Sequence, residues 1–135
     1  MKRQLLLLTA CFSLIAGQVF AQCATGEVEV TIEITTDQYG YETYWTLTDA
    51  NGTVLLQGGE FPDGSGTTYE NNTTYTESVC APDDACLRFD LYDDFGDGIF
   101  SPGGYTVSMD GSEIATGGNF DDYTCNLFNC PPGST

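Results

Sequence analysis

Four carboxylates crowd one short stretch of this chain: Asp90-Leu-Tyr-Asp93-Asp94-Phe-Gly96-Asp97-Gly98. Close carboxylates repel one another, so such spacing costs energy unless a cation sits among them. Gly96 and Gly98 let the backbone turn sharply and aim carbonyl oxygens inward beside the side chains. Hard oxygen donors of this kind suit Ca²⁺. The expected ligands are therefore Asp90, Asp93, Asp94 and Asp97. A second, weaker set is Asp37 and Glu42, which bracket Tyr39-Gly40; there an Asx-turn at Asp37 is an equal alternative. For the longer loop the alternative is a plain Asp/Gly turn capping a strand. The loop is not an EF-hand. If Asp93 were position 1, position 3 would be Phe95, and Gly104 would stand where a bidentate Glu is required.

Composition closes off other chemistry. The 135 residues contain 20 acidic side chains, three basic ones and no His, for a net charge of −17. Without His, neither a Ser-His triad nor a His-type zinc site can be built. Nucleic acid and anionic membrane surfaces are excluded as partners, because almost nothing can neutralise phosphates.

The N-terminus carries an export address. Lys2 and Arg3 precede an apolar run from Leu5 to Ile15, too short to span a bilayer comfortably. Val19 and Ala21 place small residues at −3 and −1, so residues 1–21 are expected to be a signal peptide. Cleavage would remove two of the three basic residues, leaving Arg88 as the sole cation and moving the net charge from −17 to −19. The expected mature chain is one domain, 22–130, with a tail at 131–135, secreted or held at the cell surface. It keeps Cys23, Cys80, Cys86, Cys125 and Cys130, an odd number. Cys80 and Cys86 could close a local bridge, and Cys23 could meet Cys125 or Cys130; spacing does not choose.

The elements that must position the carboxylates read as strands. Val28, Val30, Ile32 and Ile34 alternate with Glu27, Glu29, Thr31 and Glu33, the pattern of a half-buried strand. Further strands are expected at 43–48, 53–57, 74–79, 87–91, 105–109, 112–116 and 123–128, with a polar loop over 62–73. Trp45 is expected in the core and Tyr44 on the opposite face. Eight short strands without helical periodicity imply an all-β fold, a two-sheet β-sandwich. Its halves, about 27–80 and 84–128, look duplicated. Asp37-Gln-Tyr-Gly40 parallels Asp93-Asp-Phe-Gly96, Trp45 to Leu47 parallels Tyr105 to Val107, and Gly58-Gly-Glu-Phe61 parallels Gly117-Gly-Asn-Phe120.

These motifs resemble a β-rich module of secreted multidomain proteins, frequent in marine Bacteroidetes, whose pattern runs Asp-x-Tyr-Gly-x-Glu-x-x-Trp and then Asp-x-Tyr-Gly-Asp-Gly. The resemblance spans about residues 27–128. Phe95 stands for the usual Tyr, and Ile99-Phe100 replaces a Cys pair often found after Asp-Gly. It implies a non-catalytic accessory or surface module. The functional expectation is a calcium-binding module for adhesion, with a glycan or an extracellular protein as partner. A self-assembling structural subunit of an extracellular fibre is the alternative, and a carboxylate-pair glycosidase a more distant one.

Overall fold

The structure, a computed structural model, describes residues 23–135. The expected signal peptide and its cleavage point lie outside these residues. Eight strands run in order: β1 Glu27–Thr35, β2 Thr43–Asp49, β3 Val54–Gly59, β4 Thr74–Pro82, β5 Leu87–Asp93, β6 Gly104–Met109, β7 Ser112–Gly117 and β8 Tyr123–Phe128. They form two four-stranded antiparallel sheets, ordered β4-β1-β6-β7 and β3-β2-β5-β8. The all-β sandwich expected from the alternation is the observed fold.

The core is the inward half of each alternation. Val30, Ile32 and Ile34 of β1, Leu47 of β2, Leu87, Phe89 and Leu91 of β5 and Val107 of β6 are fully buried, and Trp45 nearly so. Burying a side chain of this kind stabilises the fold by roughly 1.5–3 kcal/mol, so the four central strands carry most of the driving force. Trp45 packs against Phe89 at 5.9 Å and Phe89 against Tyr105 at 5.4 Å, joining the two sheets.

Neither half of the chain makes a sheet of its own. Each contributes two strands to each sheet, and exchanging β1–β4 with β5–β8 in order turns one sheet order into the other. The exchange holds in register too. Trp45 lies opposite Gly58 and Tyr105 opposite Gly117, and both hairpins carry an irregularity at the matching place, Leu47/Thr48 and Val107/Ser108. The repeated Gly-Gly thereby gains a physical reason. A Cβ on Gly58 would come within 2.6 Å of Trp45 Nε1, and one on Gly117 within 2.9 Å of the Tyr105 ring.

The disulfides are Cys23–Cys80 and Cys86–Cys130. This corrects the pairings considered from sequence: Cys80 and Cys86 do not bridge locally, and Cys23 reaches neither Cys125 nor Cys130. The reason is strand pairing. β1 runs against β4 with Glu29 opposite Cys80, and β5 against β8 with Leu87 opposite Phe128. Each bridge therefore ties the start of one half to that half's own end, Cys80 within β4 and Cys130 just past β8. Cys125 is the free cysteine among the described residues and is exposed. Two disulfides fit a chain that folds in an oxidising compartment. Among the described residues no helix is long and apolar enough to cross a membrane.

Candidate metal centre

Two connections meet at one end of the sandwich. Residues 36–42 lead from β1 to β2, and residues 94–103 from β5 to β6. The first ends in a 3₁₀ turn, Gly40–Glu42, that delivers Glu42 immediately before β2. The Gly40 N–H donates to Asn71 Oδ1 at 3.0 Å, and the Glu42 N–H to the Tyr39 carbonyl at 2.9 Å. The second connection starts at Asp93, the last residue of β5, which faces inward like Leu91 two residues before it. Asp93 Oδ1 accepts the N–H of Gly96 at 2.7 Å and of Asp97 at 3.1 Å, so its side chain organises the turn that follows. The Asp94 N–H donates to the Glu42 carbonyl at 2.9 Å and ties the two connections together.

These contacts gather Glu42, Asp93 and Asp97, each offering a carboxylate oxygen within 4.8 Å of the others, in a cluster that could hold a metal ion. Glu42 and Asp93 are buried and Asp97 is half-buried. Asp97 Oδ1 is shut off from solvent and has no hydrogen-bond partner. Two like charges this close repel by about 3 kcal/mol at an effective dielectric of about 20. Glu42 registers that strain: burial raises its pKa, and the Asp93, Asp97 and Asp37 carboxylates push the same way, against a hydrogen bond from Tyr41. Buried carboxylates with an unmet oxygen, on loops stapled to each other, have the chemistry of a divalent-cation site and no donor of the nitrogen or sulfur type.

The six expected ligands thus divide. Asp93, Asp97 and Glu42 come together, one from the first half of the chain and two from the second. Asp37 is buried close by, but backbone amides hold both its oxygens: Tyr39 N–H on Oδ1 and Phe100 N–H on Oδ2, each at 2.7 Å. It makes the Asx-type turn weighed from the sequence and clasps the two loops. Asp94 is exposed and turns toward a different cavity. Asp90 lies on the outer face of its sheet, where Arg88 Nε reaches both its oxygens at 2.9 Å and Tyr123 donates its hydroxyl. Strand alternation accounts for this, since residues three apart on β5 point to opposite faces.

Sequence reasoning missed Tyr69. It sits in the polar 62–73 loop yet is buried, accepts the Trp45 indole N–H at 2.9 Å and stacks on Tyr75 at 3.9 Å. An aromatic within an otherwise polar loop was the available signal. A cavity of about 610 Å³ is lined by this loop and by β3 and β4, and none of the clustered carboxylates lines it. No protein family, curated protein or solved structure matches the chain.

Proposed function

We propose that this protein is an exported, non-catalytic binding module whose loop end is organised by calcium held at Glu42, Asp93 and Asp97. The observation that carries the reading is the solvent-free, unpartnered Asp97 Oδ1 on a side chain clustered with two buried carboxylates. Calcium is favoured over magnesium because it accepts six to eight oxygens in flexible geometry, which loops can supply with carbonyls and water. The site joins connections from both halves, so the ion would fix the end of the sandwich as one unit. The resemblance to secreted accessory modules, the apparent signal peptide and the two disulfides support an extracellular setting, with a glycan or protein as ligand. The test is thermal unfolding with and without calcium. Millimolar calcium should raise Tm over EDTA, because an ion that binds only the native state stabilises it by mass action. An unchanged Tm would sink the reading.

One observation favours the self-assembling alternative. Edge strand β8 exposes Tyr123, Cys125 and Leu127 along one face. Sedimentation of the oxidised and reduced protein separates the two: a monomer under both conditions excludes a disulfide-linked subunit.

A further inference from the structure

Beside the carboxylate cluster, and using none of its three residues, lies an open cavity of about 240 Å³ with a distinct chemistry. Tyr41, Tyr44 and Phe61 supply aromatic walls, and Glu60 and Asp94 supply carboxylates. Its aromatic side is braced. Phe61 is pinned by a tight turn, its N–H donating to the Ser65 carbonyl at 2.8 Å and its carbonyl accepting the Gly64 N–H at 2.8 Å. Its ring leans on Tyr44 at 5.3 Å. Tyr44 stacks on Tyr92 at 4.8 Å and 7°, and Tyr92 on Tyr123 at 5.0 Å. Tyr123 accepts a hydrogen bond from Arg88 Nη2 at 2.7 Å, which closes the row. Tyr44 and Phe61 therefore need little ordering when something enters, which lowers the cost of binding.

We propose that this cavity receives a cationic side chain, a lysine or arginine presented by a partner protein. Aromatic faces attract cations through the ring quadrupole, and a carboxylate at the rim adds an ion pair. Among the described residues no cation is free to enter it. Arg88, the only basic residue among those described, is committed to Asp90 and Tyr123 on the sheet face. The strong negative charge steers a basic partner toward this surface and repels an acidic one. The carboxylates and the net charge of −17 add an attraction for a cation that a neutral sugar does not gain. Glu42, Asp93 and Asp97 do not line the cavity, and the link between the two sites is the hydrogen bond from Tyr41 to Glu42.

The test is an NMR titration of the full mature chain at constant ionic strength and saturating calcium. The probes are the blocked amides of lysine, arginine and norleucine, the last a neutral isostere of lysine, and cellobiose. Lysine and arginine amides should shift the Phe61, Gly64 and Asp94 backbone signals saturably, and norleucine and cellobiose should not. Asp94→Asn should weaken binding by roughly threefold to tenfold. Asp94 is exposed and no side-chain hydrogen bond engages its carboxylate, so the variant should fold and leave the carboxylate cluster untouched; Tyr41→Ala, also at an exposed position, offers a second site but removes the hydrogen bond to Glu42. The idea is overturned if norleucine or cellobiose moves the same signals as strongly. It is equally overturned if the shifts spread over every acidic loop without saturating, or if both variants bind as the parent does.

Discussion

Asp37 Oδ2 accepts the backbone N–H of Phe100 at 2.7 Å, across a separation of 63 residues. Its other oxygen holds the Tyr39 N–H. One buried carboxylate thus binds the connection of the first half to that of the second. Asp37→Ala strands two amide donors at the protein's loop end, one of them brought from the far half. We expect it to cost about 1.5–3 kcal/mol, the range for a hydrogen bond to a charged group, because both bonds are part-buried and water can replace some of what the carboxylate supplied. Chemical denaturation checks this. A loss under about 0.5 kcal/mol, the usual range for an unremarkable surface change, would show that the clasp is dispensable.

Asp97 should behave oppositely with and without calcium. In EDTA, Asp97→Asn removes a repulsive charge from beside Glu42 and Asp93 and should leave Tm equal to or above that of the parent. In calcium the same variant should lose most of the ion-induced rise in Tm, because one charged ligand is gone. A crossover of the two melting curves is the expected signature. Parallel losses under both conditions would mean that Asp97 is simply structural.

Glu42 sets a pH dependence in the metal-free protein. Its folded pKa is raised, chiefly by burial and then by the Asp93, Asp97 and Asp37 carboxylates. A carboxyl raised on folding contributes stability that is fully present below its unfolded value, near 4.3, and is lost as pH rises through the folded value. In EDTA, Glu42→Gln should therefore gain stability relative to the parent as pH climbs from about 4 to 7. Urea melts across that range supply the measurement, and a difference independent of pH would refute the assignment.

The tyrosines of the outer sheet face should resist ionisation. Tyr123 is held protonated by burial first and then by its hydrogen bond to Asp90, and Tyr92 and Tyr44 are raised by burial and by nearby Asp90 and Asp94. Each favours folding below the unfolded value, about 10, and ceases to do so as pH rises through its own folded value. The native chain's tyrosinate absorbance should rise at higher pH than that of the denatured chain. Tyr123→Phe should flatten the last part of that lag. Superimposable titrations would contradict the geometry.

Gly58 and Gly117 should both be intolerant of a side chain. Alanine at Gly58 drives a methyl into the Tyr69 hydroxyl and the Trp45 indole, and alanine at Gly117 drives one into the Tyr105 ring. Overpacking of this kind costs about 1–3 kcal/mol, measurable by denaturant melts of the two single variants. A neutral Gly117→Ala beside a damaging Gly58→Ala would break the equivalence of the two halves.

The amino-acid sequence alone determined the strands, because alternation with a period of two is a local property that each strand writes in its own residues. All eight expected strands appear, Val28, Val30, Ile32 and Ile34 face inward as their spacing requires, and Trp45 is core. The acidic loop after β5 was legible for the same reason: Asp and Gly density is read within a few residues. Only the tertiary structure decided which carboxylates share a site. Glu42 joins Asp93 and Asp97 because the two halves exchange strands and bring distant connections to one end, and nothing local records that approach. Asp90 shows the converse. It is three residues from Asp93 in the chain, yet the pleat turns it to the other face, where Arg88 and Tyr123 take its charge. The disulfides followed the same logic, since which cysteines meet depends on which strands pair.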